Sequence, residues 1–297
     1  MATTDTDPGF ARPAPEGAPA LQDRPLPDAL ARGVDRQPVG ETLGDIGRAL
    51  REWRIWLSVA WSDLRLRYRR TWLNLGWVAL SFALFALVKI TIFGPLSGRP
   101  LEEYAAWLVG GFLVFRFVSN SIAGGSNVFT AGSRFILSEP LPLFLHPLKL
   151  MATNVMTFGF STLAGIAICL AFGLFNPMFL AMWPIAVLVY AFNGVWASVI
   201  VGTLCTRHRD LMHFVGTVMQ VLYFATPILW VPPETGFRAT VALYNPFTHY
   251  IAILREPLMR GEIPWLSVWV VAGCTTVLAV AGFLVFWRAR RRIIFWL

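Results

Sequence analysis

The chain has 297 residues, of which 56% are hydrophobic and only 14% charged, and its formal net charge is +8. A soluble domain carries about 25% charged residues, so this composition excludes a soluble globular protein and points to one that crosses a membrane several times. The positive balance then reads as the arginines that fix a membrane protein's orientation, and no zinc-finger spacing or RNA-binding signature supports nucleic acid as a partner.

Residues 1–45 are rich in Pro, Ala, Asp and Arg, and Pro8, Pro13, Pro15, Pro19, Pro25 and Pro27 interrupt any helix. The expectation is a disordered N-terminal tail with no apolar segment of the kind a signal peptide needs. Residues 46–74 change character. Leu50, Trp53, Ile55, Trp56, Val59, Ala60, Leu64 and Tyr68 recur at three- and four-residue spacings, with arginines between them. This predicts an amphipathic helix lying in the membrane interface, where Arg and Trp each place an apolar body and a polar tip. It ends in Arg65, Arg67, Arg69 and Arg70, directly ahead of an apolar run.

Residues 75–297 predict a six-span, all-α membrane domain. Gly76–Phe93 is apolar except for Lys89, and Tyr104–Ile122 except for Arg116. Leu150–Phe175, Met178–Leu204, Leu211–Trp230 and Trp265–Trp287 contain no Lys, Arg, Asp or Glu. Each approaches or exceeds the roughly 18–20 residues that cross a bilayer as a helix. Between the fifth and sixth spans, RATVALYNPFTHYIAILREPLMRGE is cut by Asn245-Pro246 into pieces too short to cross, which predicts re-entrant half-helices on the outer side.

With the N-terminus inside, the inner segments hold Arg48, Arg51, Arg54, the four arginines ahead of span one, Arg134, Lys149, Arg207, Arg209, Arg288, Arg290, Arg291 and Arg292. The outer segments hold only Arg99, Arg238, Arg255 and Arg260. Both termini are therefore expected in the cytoplasm, with Arg65, Arg67, Arg69 and Arg70 facing anionic headgroups.

Little in the chain suggests catalysis. Lys89 and Lys149 are its only lysines, and no G-x-x-x-x-G-K-[ST] surrounds either, so the chain is not expected to hydrolyse ATP alone. No H-E-x-x-H or G-x-S-x-G occurs. Cys169, Cys205 and Cys274 are scattered through apolar runs and read as small buried hydrophobes; they lack the close pairing of a metal site. His249 with Glu256 is the one acid–base pair a membrane-embedded acyl- or glycosyltransferase could use, against a structural role for both. A proton-coupled carrier would want Asp or Glu within its spans, and none is there. Lys89 lies near the outer end of its span and can snorkel to the surface. Arg116 lies deep in span two and should face the interior, where it either pairs with a carbonyl or meets an anionic substrate. Phe112, Phe115 and Phe117 surround it, and aromatic faces suit a sugar path as well as lipid packing.

Four stretches share a pattern beyond composition: WLSVAWSDLRLRYRRTWLNLGW (Trp56–Trp77), LPLFLHPLKLMATN (Leu141–Asn154), TRHRDL (Thr206–Leu211), and YFATPILW followed by YNPFTHYIAILREPLMRG. In their order and spacing they resemble the permease subunits of type-2 ABC exporters for cell-surface polysaccharides, which include O-antigen, capsule and teichoic-acid exporters. Leu141 stands where that family usually has Phe. The resemblance covers residues 50–297. It implies a homodimer around a channel, with two copies of a separate ABC ATPase that binds ATP and Mg, and no cofactor on this chain. Glu139, Pro140, Pro142, Pro147, Arg207, Arg209 and Asp210 would pass ATP-driven motion to the spans. Arg116, Phe112, Phe115 and Lys89 would lie along the translocation path. Asn245, Pro246, His249 and Arg255 would belong to the outer re-entrant segment. The substrate would be a lipid-linked polysaccharide entering from the cytoplasmic side of a bacterial inner membrane, past Arg65, Arg67, Arg69 and Arg70. The other readings are a type-2 exporter of a drug or lipid, and the membrane-embedded transferase.

Overall fold

The structure, a computed structural model, describes residues 38–131 and 141–297. Among the described residues there are ten α-helices and no strand. They are α1 (Val39–Arg51), α2 (Trp53–Tyr68), α3 (Gly76–Phe93), α4 (Leu101–Gly125), α5 (Leu145–Ala171), α6 (Met178–Arg207), α7 (Leu211–Ala225), α8 (Phe237–Tyr244), α9 (Pro246–Met259) and α10 (Trp265–Trp296).

The N-terminal part differs from the expectation. Residues 1–37 of the expected tail lie outside the described residues, but α1 begins directly behind the extended Pro38 and takes in residues assigned to that tail. The interfacial segment is two helices, parted at Glu52 and ended at Tyr68. Helix α2 packs on α5 through a narrow stripe, Ala60 and Leu64, and leaves Trp53, Ile55 and Leu66 exposed. Lys149 on α5 bridges to Asp63 on α2 at 2.7 Å. A half-exposed pair of this kind contributes at most about 1 kcal/mol.

Five helices, α3, α4, α5, α6 and α10, are long and apolar enough to cross a membrane. This is a multi-pass membrane protein. The expected span Leu211–Trp230 is helical only as α7, 15 residues, or about 22 Å against a hydrocarbon core of about 30 Å. The cause is Pro227. Proline has no N–H to donate and disfavours helical backbone in the residue before it, and Thr226 is accordingly extended (φ −89°, ψ 139°). The predicted break at Asn245-Pro246 is present: α8 ends there, and Asn245 caps α9 by accepting from the Phe247 N–H at 3.0 Å. Pro246 takes the first helical position, where no N–H is needed.

Helix α4 is the centre of the bundle. In all, 72% of its apolar stretch is buried within the protein, against 22% for α3 and 11% for α10. It packs against α5, α6 and α9, while α10 lies along α6. The α4–α6 crossing depends on glycine: a Cβ on Gly202 would meet the Gly125 carbonyl oxygen at 2.8 Å. Small residues that let helix backbones approach are the usual means of association within a bilayer.

Candidate translocation face and coupling end

The two C-terminal motif blocks interlock. The T-P-I-L-W block forms a turn after α7, gripped by two residues of the N-P-F block and one of α4. Asn245 donates from Nδ2 to Thr226 Oγ1 at 3.0 Å. Arg255, on α9 and 2% exposed, donates from Nη2 to the Pro227 carbonyl at 2.9 Å. Tyr104, on α4, donates its hydroxyl to the Leu229 carbonyl at 2.8 Å. The Arg255 guanidinium also lies 3.8 Å over the Trp107 ring, and its Nε is buried without a hydrogen bond. The Pro227 and Leu229 carbonyls of this non-helical turn are thus satisfied by side chains, as buried backbone requires.

Both ring nitrogens of His249 are engaged. Its Nε2 lies 2.8 Å from the Leu243 carbonyl, which can only accept, so the proton is assigned to Nε2. Its Nδ1 is 3.0 Å from Ser267 Oγ. Glu256 faces Arg260 at 3.6 Å instead. The candidate acid–base pair does not form: His249 ties α9 to the end of α8 and to Ser267, and Glu256 pairs with a residue one turn on.

Lys89 and Arg116 fall on one face. The Lys89 ammonium sits 3.4 Å from the centre of the Phe112 ring and 5.0 Å from that of Tyr223, so it turns onto the protein and does not snorkel away. Phe112 precedes Arg116 by four residues and shares its side of α4. Phe115 packs edge-on to Tyr223, with centroids 5.4 Å apart. Arg116 borders a small polar cleft with Asn120, Asn154 and Thr157. Among the described residues neither cation has an acidic partner.

A separate apolar cavity of about 600 Å³ lies between α4, α6, α9 and α10. Its floor is a hydrogen-bonded cluster in which Tyr250 donates to Asn193 Oδ1 at 2.8 Å, Asn193 Nδ2 donates to Thr275 at 2.8 Å, and Tyr190 donates to the Tyr250 carbonyl at 2.6 Å. Sequence reading missed this cluster. Four polar residues on three apolar helices give no local signal, and only the packing brings them together.

At the arginine-bearing end, Arg65, Arg67, Arg69 and Arg70 are all exposed, and Arg65 lies over the Trp61 ring at 4.9 Å. Arg207, Arg209 and Asp210 are exposed at the break between α6 and α7, with Arg207 5.8 Å over Trp296. Pro142 and Pro147 are buried. Pro147 sits in the first turn of α5, where a missing N–H costs nothing. Glu139 and Pro140 lie outside the described residues.

No family model matches the chain. The chain is similar to the O-antigen export system permease protein RfbA of Myxococcus xanthus, at 23% identity over 218 residues that cover 71% of this chain and 84% of that protein. Two proteins of the same name from Klebsiella pneumoniae are 25% and 26% identical over 243 and 245 residues, each covering 77% of this chain and 90% of the relative.

Proposed function

We propose that this chain, a polysaccharide-export permease of the type-2 ABC class by its motif blocks and its relatives, is the membrane-spanning subunit of an ATP-driven exporter of lipid-linked polysaccharide, O-antigen-like or capsule-like. It is a transport subunit, not an enzyme. The observation that carries the substrate reading is the pair Lys89 and Arg116. Two cations on membrane helices, flanking one aromatic face and lacking acidic partners among the described residues, leave a charge for the cargo to balance. A lipid-linked glycan with an anionic phosphate linker supplies that charge, and its sugars can stack on the partly exposed Phe112 and Tyr223, behind which the buried Phe115 packs.

The proposal includes the topology. Helix α7, prolonged by residues 226–230, is the fifth crossing and α10 the sixth, while α8 and α9 fold back into the membrane from the outer side. The arginine-rich ends of α2, α6 and α10 lie in the cytoplasm, in a bacterial inner membrane. Two copies of the chain form the channel, and two copies of a separate ABC ATPase bind ATP and Mg below it. Arg207, Arg209, Asp210 and the segment around 139–147 meet that ATPase, while Arg65, Arg67, Arg69 and Arg70 receive the lipid-linked substrate at the headgroups. The part of the N-terminal tail ahead of α1, residues 1–37, is dispensable to the pump.

The test is co-expression with the ATPase encoded beside it, purification into lipid nanodiscs, and measurement of ATP hydrolysis with and without extracted lipid-linked polysaccharide. A stable complex whose hydrolysis rises with the glycan supports the reading. Stimulation by drugs or simple lipids alone would move the substrate to another amphiphile, and failure of any ATPase to bind would remove the exporter.

A further inference from the structure

Helix α1 is attached to the bundle in an unusual way. It buries three residues along one stripe, Thr42, Asp45 and Ala49, and two of these are polar. Ala49 and the partly buried Ile46 add a small apolar contact, too little area to fix a helix strongly. The rest of the attachment is ionic. Asp45, 2% exposed, accepts from the Phe144 backbone N–H at 3.1 Å through Oδ2. Its Oδ1 lies 3.2 Å from Arg290 Nη2 on α10 and 3.8 Å from Arg48. Glu41, one turn earlier, contacts Arg291 at 2.7 Å and stands 3.7 Å from Arg290 Nη1. That Nη1 is buried without a hydrogen bond.

Phe144 is the residue immediately ahead of α5, at the end of the Leu141–Phe144 loop. Its ring packs on Phe286 of α10 and Trp196 of α6, with centroids 5.3 and 5.4 Å away. One carboxylate therefore holds the start of α5 through a main-chain N–H at a helix N-terminus, a site that favours negative charge. The same carboxylate holds the end of α10 through an arginine. Burying a carboxylate is costly unless it is paired and hydrogen-bonded, and an apolar residue of similar size would hold the helices as well or better. The pairing is also uneven: Glu41 hydrogen-bonds Arg291 but meets Arg290 Nη1 only as an ion pair at 3.7 Å, without a hydrogen bond.

We propose that Asp45 is a positioning residue for ATP-driven coupling: it clamps the loop ahead of α5 to the C-terminal end of α10, so that a push on that loop moves α1, α5 and α10 together. This rests on the exporter reading, in which the loop lies against the ATPase. The clamp adds a residue outside the loop, on a helix that the family pattern does not include.

The experiment uses the nanodisc complex and reads the ratio of polysaccharide transported to ATP hydrolysed. A misfolded fraction lowers both quantities and leaves their ratio unchanged, so the ratio separates coupling from stability. Asp45→Ala, which removes both contacts, is expected to lower the ratio about five- to tenfold, the low end of coupling effects between sites. Asp45→Asn keeps an acceptor for the Phe144 N–H and loses the charge facing Arg290; it is expected to fall between. Arg290→Gln should match Asp45→Asn, and the two together should be no worse than either alone. If Asp45→Ala does not assemble, Asp45→Asn and Arg290→Gln decide. A wild-type ratio in variants that assemble overturns the clamp while leaving the exporter intact. A wild-type chain that binds no ATPase defeats the exporter reading itself, and the clamp with it.

Discussion

The Arg255 guanidinium lies 3.8 Å over the Trp107 ring while its Nη2 donates to the Pro227 carbonyl at 2.9 Å. One side chain thus joins α9, α4 and the turn that ends α7. Replacing it with Met keeps the bulk and removes both the hydrogen bond and the ring contact. A hydrogen bond from a charged group contributes about 1.5–3 kcal/mol, and the desolvated stacking adds roughly 1–2 kcal/mol. Arg255→Met should therefore lower the Tm in detergent. Arg255→Lys should also lower it, because an ammonium cannot both stack flat and reach the carbonyl. A Tm equal to wild type in both variants would show that the turn holds without this contact.

The space for Arg255 is made by glycine. A Cβ on Gly110 would stand 3.3 Å from the Arg255 Cα, and one on Gly111 would collide with Nη2. Gly111→Ala should overpack the site and cost about 1–3 kcal/mol. Gly159→Ala, on α5 with nothing within 4 Å of the added methyl, should stabilise by about 0.5–1 kcal/mol through helix propensity. Fluorescence-detected size exclusion after a heat step would rank the two, and the opposite order would contradict this packing.

Much of this bundle is legible from apolar runs, because a membrane helix must satisfy its backbone internally and so declares itself by length. Gly76–Phe93 is read to the residue, and the break at Asn245-Pro246 is visible because proline's chemistry is local. Pro227 carries the same chemistry, yet Leu211–Trp230 reads as one span, because composition alone does not show where a helix stops inside an apolar stretch. The candidate site divides in the same way. Lys89 and Arg116 stand out as charges in apolar sequence. The partners of Arg255 and the Asn193 cluster come from contacts between residues far apart in the chain. Asp45 was hidden most completely: proline-rich surroundings assign it to a tail, and its partners, Phe144 and Arg290, lie 99 and 245 residues away by subtraction of their numbers.

Asn193 tests whether the buried polar cluster is structural. Asn193→Leu removes the acceptor of the Tyr250 hydroxyl and leaves that donor unsatisfied, at about 1–3 kcal/mol. Adding Tyr250→Phe removes the orphaned group as well. The double variant should therefore recover part of the loss, and a double-mutant cycle on thermal melting measures the interaction. Strict additivity of the two losses would mean that the hydroxyl and the amide do not depend on each other.

Lys89 and Arg116 should show opposite signs in stability and transport. A cation at the centre of a membrane helix costs about 2.5–3.5 kcal/mol on insertion scales, a cost that applies to Arg116 and is smaller for Lys89 near the end of its span, and neither residue has an acid to offset it among the described residues. Lys89→Met and Arg116→Met should therefore leave assembly intact and raise thermal stability. If the two charges meet one anionic cargo, each substitution should cut transport about tenfold, as expected for loss of a charge-assisted contact. The double variant should fall well short of the product of the two. Glycan-stimulated ATP hydrolysis should fall with transport while basal hydrolysis stays. Variants that gain stability and keep full transport would make the cations a feature of insertion, and the cargo's charge would have to be met elsewhere.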